Sequence, residues 1–273
     1  MATVVDIKEL LEAGAHFGHQ TSRWHPKMAP FIHSKRGGSH IIDLTKTVSA
    51  LDTALEFLSQ IASEGKQVLL VSTKRQAKDK VKEVAQATKM PYVTQRWLGG
   101  MLTNQNTIGG RIKRLVDLEN RMASGELENR YSKLEVQRLA EEIEEMNHLY
   151  GGIKEMHTKP GGIFVVDMQN DIIAVKEARK LGIPIVGLCD TNVDPGLADY
   201  SIPCNDDATK TINLILGYVQ QAIGEGQARV KKPASDEKPE AAGAKIAAVI
   251  KKTDSKEQKT EKETVTAPVK GIG

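Results

Sequence analysis

Short apolar runs alternate with segments of helical periodicity along most of the chain. Apolar residues recur at positions 48, 51, 55, 58 and 62, the spacing of one helix face, and the run Val68 to Val71 that follows is continuously apolar. A continuous run of this length is typical of a strand covered on both faces. The same alternation predicts strands at 68–71, 91–93, 163–166, 185–188 and 200–202, and helices at 6–13, 48–62, 75–87, 172–181 and 208–223.

This order of elements predicts the class of fold. Strands that alternate with helices are joined by right-handed crossovers, so they form a parallel sheet between two helical layers. We therefore predict a three-layer α/β domain. Ahead of it, strands near Phe31 and Ile41 with a turn at Gly37-Gly38 predict a short hairpin.

Between residues 103 and 157 the strand signal disappears and two helical stripes replace it. The stripes consist of Ile108, Ile112, Leu115 and Met122, and then of Leu139, Ile143, Met146, Tyr150 and Ile153. The 4-3-4-3 spacing of the second stripe is typical of a coiled-coil seam, and Ser124-Gly125 can form the turn. We predict an antiparallel coiled-coil hairpin at 105–157, inserted into an α/β domain of residues 1–104 and 158–226. The alternative is two ordinary helices packed on the sheet.

The last segment, residues 227–273, is rich in Lys, Glu, Ala, Thr and Pro and contains no aromatic residue. Such a composition buries too little apolar surface to compensate for the entropy lost on ordering. We therefore predict a disordered, basic C-terminal tail.

The net charge of +3 is the sum of very unequal segments. Residues 1–114 contain 17 Lys and Arg against 9 Asp and Glu, residues 115–226 contain 10 against 19, and the tail contains 11 against 7. This distribution favours one surface that binds a polyanion and another that does not. Because segments interleave in space, the alternative is that the asymmetry in sequence has no counterpart on the surface.

The composition also bears on the compartment. No stretch approaches 18 consecutive apolar residues, so we expect no membrane span. Two cysteines in 273 residues argue against a disulfide framework and favour a reducing compartment, the cytoplasm. Cys189 and Cys204 are expected to be small core residues.

An enzyme is a competing hypothesis, because parallel α/β sheets bind ligands at the carboxyl ends of their strands. Thr73, Asp167 and Asp190 fall at predicted strand ends and could serve a nucleotide-dependent reaction. However, the sequence contains neither G-x-G-x-x-G nor G-x-x-x-x-G-K-[ST]. The favoured interpretation is that Ser72 or Thr73, and the run 205–207, cap helices. We expect no catalytic residue, no cofactor and no small-molecule substrate.

A histidine series raises the question of a metal. His16-x-x-His19 could supply two ligands, but no cysteine or nearby carboxylate completes a tetrahedral set in the sequence. Among Arg23, Lys27, Lys35 and Arg36, histidines serve equally well as hydrogen-bond donors to phosphate. We expect no metal.

Two motifs combine basic, aromatic and glycine residues. Arg23-Trp24-His25-Pro26-Lys27 and Arg96-Trp97-Leu98-Gly99-Gly100 contain both tryptophans of the chain. Lysine and arginine neutralise phosphates, and an aromatic plane can stack on an exposed base. The equally weighted alternative for each tryptophan is a position in the core or at the base of a hairpin. A helix N-terminus beside Lys74 and Arg75 would likewise suit a phosphate.

The predicted helical hairpin has edges of opposite charge. Arg111, Arg114 and Arg121 lie in a narrow arc of the first helix, with Lys113 on another face. The second helix carries Glu135, Glu141, Glu142, Glu144 and Glu145. The basic edge suits RNA, and the acidic edge suits water or a basic protein. A free protein-binding adaptor that uses the acidic edge is a further alternative.

At the two tryptophan motifs and several other segments, the sequence resembles the family of bacterial small-subunit ribosomal protein two. The resemblance runs in order from about residue 5 to 226, and the motif Arg96 to Asn104 is its most specific part. Further matching segments are 10–21, 24–28, 40–44, 73–75, 151–154, 182–184, 190–192 and 205–208.

The resemblance implies a flavodoxin-like α/β domain with a protruding coiled-coil hairpin, and a structural role without catalysis. It implies binding to small-subunit rRNA between the head and the body of the subunit, a late place in assembly, and contact with neighbouring small-subunit proteins. In many bacteria it also implies support for the attachment of ribosomal protein one. The RNA-facing positions that it implies are His16, His19, Gln20, Arg23, Lys27, Arg96 and Asn104.

From the tryptophan motifs, from basic residues beside them or at a helix N-terminus, and from charge and helical phase in the hairpin, we add further RNA-facing candidates to that set. They are Trp24, Lys35, Arg36, Lys74, Arg75, Trp97, Arg111, Lys113 and Arg114.

Overall fold

The computed structural model describes residues 5–156 and 158–230. The predicted disordered tail lies outside this range except for its first four residues. The helices and strands, in chain order, are α1 Ile7–Ala13, β1 Phe17–Gln20, β2 Ile32–Arg36, β3 Ser39–Ile42, α2 Leu44–Ser63, β4 Val68–Val71, α3 Lys78–Thr88, β5 Tyr92–Val93, α4 Gln105–Ala123, α5 Glu126–Arg130, α6 Lys133–Tyr150, β6 Gly162–Val165, α7 Ile172–Leu181, β7 Ile185–Cys189, β8 Tyr200–Pro203 and α8 Thr209–Ala228.

Five parallel strands form the central sheet in the order β5-β4-β6-β7-β8. Numbered from the first of them along the chain, this order is 2-1-3-4-5, the flavodoxin-like arrangement. The predicted α/β fold with a parallel sheet is therefore confirmed. The central strands β4, β6 and β7 are buried along their whole length, because helices cover both faces of the sheet.

Alternate residues along each strand pack on opposite faces of this sheet. Leu70 and Phe164 belong to the core shared with α1, α2, α3 and α8, whereas Leu69 and Val165 belong to the core shared with α4, α6 and α7. This alternation follows from the period of two in a strand. The two cores and the sheet between them make the three predicted layers.

A separate three-stranded sheet precedes the central one, in the order β1-β3-β2. The predicted hairpin is confirmed, since β2 and β3 pair antiparallel around the turn at Gly37-Gly38. Strand β1 was not predicted, because its four residues alternate only weakly and follow directly on α1. Helix α1 begins at the Asp6 cap, which accepts a bond from the Lys8 amide, and ends at Gly14 with φ +82°.

The segment predicted as a helical hairpin forms α4, α5 and α6. Of its first stripe, Ile108 and Leu115 are buried, and Met146 and Tyr150 of the second stripe are buried with them. The connection is longer than the predicted turn, because α5 lies between Gly125 and the Ser132 capping box that starts α6. Antiparallel coiled-coil packing, and the domain boundaries drawn around it, stay predictions.

Both cysteines are buried and unpaired, as expected for small core residues. Burial raises the pKa of both thiols. Within the described residues, no helix combines the length and the apolar composition that a membrane crossing requires.

Candidate nucleic-acid interface

An ionic cluster lies at the carboxyl edge of the central sheet, where β4, β6 and β8 end. The Lys74 Nζ atom lies 2.7 Å from Asp206 Oδ1, 2.7 Å from Asp207 Oδ1 and 3.2 Å from Asp167 Oδ2. Burial alone would lower the pKa of Lys74, but the three carboxylates, Asp206 foremost, raise it above its ordinary value. Lys74 is therefore a charged group engaged inside the protein.

Asp206 is the most perturbed carboxyl group of this cluster. Its pKa is raised to about 7, by burial first and then by the charges of Asp167 and Asp190, against the opposing effect of Lys74. Three carboxylates share one lysine, and the proton that Asp206 retains to about pH 7 limits the negative charge gathered there.

His19 joins the small sheet to this edge. Its Nδ1 atom lies 2.9 Å from Asp190 Oδ2, its Nε2 atom lies 3.5 Å from Asp207 Oδ2, and its amide donates to Thr191 Oγ1 at 2.9 Å. The hydrogen bond to Asp190 is the main reason that the pKa of His19 is raised. A Cβ atom on Gly18 would lie 2.6 Å from Thr191 Cγ2, so glycine permits this close approach.

The cluster corrects the expectation that no carboxylate lies near His19. His19, Asp190, Asp206 and Asp207 place four potential ligand atoms within 4.8 Å of one another. Imidazole and carboxylates are donors that a divalent cation such as zinc accepts. However, the Lys74 ammonium already bonds two of these carboxylates, so a cation would have to displace it. His16 does not join the set, because its ring packs on Phe17 at 4.0 Å between centroids.

The strand-end groups of the enzyme hypothesis are engaged in internal bonds. The Thr73 hydroxyl donates to Asp171 at 2.8 Å, Asp167 accepts from the Gln169 amide at 3.0 Å, and Asp190 holds His19. Capping by Ser72 or Thr73 was wrong, because α3 begins beyond Ala77 without a side-chain cap.

Capping of α8 by the run 205–207 was also wrong in part. Asn205 Oδ1 accepts from the amides of Asp207 and Ala208, just ahead of α8. The two aspartates bond Lys74 instead of the helix, whose N-cap residue makes no side-chain bond.

Trp97 lies in the core beneath the Arg96 to Asn104 motif. Only 6% of the residue is exposed, and its indole N–H donates to Glu177 Oε1 at 3.2 Å. Of the two interpretations of this tryptophan, burial favours the core position, because a base cannot stack on a covered ring. Arg96 is exposed beside it.

Glu177 of α7 accepts from the rest of the same loop. Its Oε1 atom takes the Gly100 amide at 2.7 Å, and its Oε2 atom takes the amides of Leu102 at 3.1 Å and Thr103 at 3.0 Å. The Thr103 hydroxyl also donates to Oε2 at 3.0 Å. Burial would raise the pKa of Glu177, but these bonds and that from Trp97 outweigh it and hold the pKa below its ordinary value.

Sequence reasoning missed Glu177. A signal existed, because Glu177 falls among Ala174, Val175 and Ala178 on the apolar side of its helix. A carboxylate in such a position requires donors from elsewhere in the fold.

Trp24 lies at the base of the small sheet and is half-buried. Its ring packs against His40 with centroids 5.2 Å apart, and Lys35 Nζ lies over the ring, 5.8 Å from its centroid. Unlike Trp97, Trp24 thus keeps part of its ring at a surface that also carries a cation.

The remaining predicted positions divide by whether they are already paired. Lys27 pairs with Asp194 at 2.6 Å, and Arg114 pairs with Glu142 at 2.8 Å. Gln20 and Asn104 are exposed, and Asn104 caps α4 by accepting from the Thr107 amide. In residues 5–156 and 158–230, the predicted cations that are exposed and take part in no ion pair are Arg23, Lys35, Arg36, Arg75, Arg96, Arg111 and Lys113.

The fold and this site define a class of protein: an α/β protein that engages some of its cations in ion pairs with its own carboxylates and leaves others exposed. A family model described as ribosomal protein S2 matches residues 10–226. Small ribosomal subunit protein uS2 of Roseiflexus sp. (strain RS-1) is 50% identical over 226 residues, 83% of this chain and 86% of that protein. The uS2 protein of Coprothermobacter proteolyticus is 46% identical over 255 residues, 93% of this chain and 95% of that protein. The chain belongs to the ribosomal protein S2 family.

Proposed function

We propose that the protein is a structural constituent of the small ribosomal subunit and binds small-subunit rRNA between head and body, late in assembly. The observation that carries this proposal is the division of its cations. Lys74 is neutralised inside the protein, whereas Arg23, Arg96 and Arg111 are exposed and take part in no ion pair within the described ranges. The related uS2 proteins are named as small-subunit proteins, which supports the same role here.

Three groups of exposed side chains would contact the RNA. The first is the small sheet, with Lys35 and Arg36, and the turn after β1, with Arg23. The second is the loop that carries Arg96 and Asn104, and the third is the face of α4 with Arg111 and Lys113. Each cation that neutralises a phosphate releases counterions, so the affinity should fall steeply with salt.

Sucrose-gradient fractionation tests the proposed role. We expect the protein to sediment with small subunits, and raising the salt should move it towards the top of the gradient. Recovery only at the top of the gradient at physiological salt would contradict the proposal.

A matched pair of charge reversals tests the proposed RNA face. Arg111→Glu should weaken binding to small-subunit rRNA and lower the salt slope by about one. Lys176 is exposed on α7, outside the proposed face. Lys176→Glu makes the same change of charge and should leave both the affinity and the salt slope unchanged. Equal losses in the two variants would show that net charge alone governs binding.

We also propose that the bound protein supports the attachment of neighbouring small-subunit proteins, ribosomal protein one among them. Glu141, Glu144 and Glu145 are exposed on α6, and such carboxylates repel phosphates but suit a basic neighbour. Small subunits reconstituted without this chain should bind less ribosomal protein one, and unchanged binding would refute the point. This function requires that the protein is located in the cytoplasm and bound to the ribosome.

A further inference from the structure

One buried carboxylate organises the whole loop between β5 and α4. All five donors that Glu177 accepts come from residues 97–103, and Glu177 itself is only 9% exposed. We propose that Glu177 is a positioning residue for rRNA binding, which holds this loop so that Arg96, Asn104 and the start of α4 meet the RNA in fixed positions. This inference rests on the proposed function.

The loop depends on Glu177 because its donors point inward. Three amides and one indole N–H converge on two oxygen atoms of α7, more than 70 residues along the chain. Gly100 adopts φ +93°, a left-handed conformation that turns the chain around the carboxylate. Donors that are left unpaired in such a place destabilise the conformation that buries them.

The proposed RNA contacts lie at both ends of this loop. Arg96 directly precedes the anchored residues, and Asn104 directly follows Thr103 and caps α4. Because α4 begins at the end of the anchored loop, the position of Thr103 also determines where Arg111 and Lys113 lie. Glu177 can therefore affect RNA binding without contacting RNA.

Glu177→Gln is the sharpest test because it keeps the shape of the side chain. Both oxygens of Glu177 accept at least two donors, so either orientation of a glutamine amide directs its NH₂ group at N–H donors. We expect the amides that face the NH₂ group of the isolated variant to exchange hydrogen about tenfold faster, Gly100 in one orientation or Leu102 and Thr103 in the other. Asp199→Asn, which alters the acceptor of the Ile185 amide, is the matched control and should leave that exchange unchanged.

The second measurement separates positioning from simple stability. With both proteins folded, Glu177→Gln should bind small-subunit rRNA about tenfold more weakly and with a lower salt slope, because fewer phosphates are contacted at once. Asp199→Asn should bind as the wild type does. Loss of global stability alone would not change the salt slope of the folded protein.

The outcomes distinguish this inference from the proposed function. Unchanged exchange at Gly100, Leu102 and Thr103 together, or faster exchange with unchanged affinity and salt slope, would overturn the positioning role alone. Absence of rRNA binding by the wild type would overturn the proposed function as well. If Glu177→Gln does not fold, Thr103→Val removes only the hydroxyl bond and should give a smaller change of both quantities in the same direction. If Thr103→Val altered neither the hydrogen exchange nor the rRNA binding, that result would count against the inference.

Discussion

At the scale of single residues, His19 shows how one side chain joins two sheets. Its ring reaches Asp190 after β7 and Asp207 before α8, while its backbone belongs to β1. The resemblance implies that this histidine faces RNA, but in the structure its ring nitrogens face carboxylates. A direct contact from His19 to phosphate would have to compete with both.

The raised pKa of His19 predicts a pH dependence of stability. A histidine whose pKa is raised by folding stabilises the protein below its ordinary value of 6.5, and that contribution is lost as the pH rises through the folded value. As the pH rises from about 6, the unfolding free energy of the wild type should therefore fall more than that of His19→Gln. Urea denaturation in the presence of a chelator measures this difference.

Asp206 acts in the same direction, and its charge contributes to the raised pKa of His19, so the comparison measures His19 together with this coupling. The Asp206 pKa of about 7 exceeds its ordinary value of 3.8, and the folded state loses that advantage as the proton leaves with rising pH. Parallel pH profiles for the wild type and His19→Gln would show that the pair with Asp190 does not stabilise the fold.

At the scale of elements, α4 and α6 are held by polar bonds as well as by their buried stripes. Arg114 Nε and a second guanidinium nitrogen donate to the two oxygens of Glu142 at 2.8 and 3.0 Å. Glu119 accepts from Asn147 and Lys154 at 2.6 Å each. Through its bonds to Glu142, Arg114, one of the predicted RNA contacts, takes part in packing between the helices.

A charge exchange tests which role Arg114 has. Arg114→Glu places two carboxylates together and should lower the unfolding free energy by about 0.5 kcal/mol, because the pair is exposed. Adding Glu142→Arg restores an opposite-charge pair, and we expect it to restore both stability and rRNA affinity. The double variant is measured beside Arg111→Glu by thermal denaturation and by RNA binding. A double variant that is stable but still binds RNA weakly would show that Arg114 contacts the RNA itself.

At the scale of the whole molecule, the two longest helices of the α/β fold pack closely on one face of the sheet. A Cβ atom on Gly226 of α8 would lie 2.3 Å from the carbonyl oxygen of Ser59 and 2.7 Å from Ala62 Cβ, both in α2. Backbone cannot move aside as a flexible side chain can. The absence of a side chain at this position therefore sets how near α8 lies to α2.

Two glycines of the same helix give opposite predictions. Gly226→Ala should lower the unfolding free energy by about 1–3 kcal/mol, because the added methyl group forces α8 away from α2. A Cβ atom on Gly224 would meet nothing within 4 Å. Gly224→Ala should therefore raise the unfolding free energy by about 0.5–1 kcal/mol through helix propensity. Urea denaturation of the two variants measures both, and a loss of stability in each would contradict the packing argument.

The sequence by itself determined most of the helices and central strands, and the family, but not β1, α5 or the start of α3. Each run from Val68 to Val71 or from Ile163 to Val166 is a short-range pattern, and helices and strands follow from such patterns because side-chain direction repeats along a single segment. Motifs such as Arg96 to Asn104 identify the family for the same reason, since they are contiguous.

Only the tertiary structure decided which charged groups are engaged. The amide of His19 bonds Asp190 across 171 residues, Lys74 bonds Asp206 across 132, and Trp97 bonds Glu177 across 80. No periodicity along the chain encodes these pairs, because they form where the folded sheet brings strand ends and loops together. The sequence therefore marked Lys74 and Trp97 as candidates for RNA, and folding placed one in an ionic cluster and the other in the core. Folding also leaves Arg23, Arg96 and Arg111 exposed, and within the described residues no carboxylate comes within ion-pair distance of them.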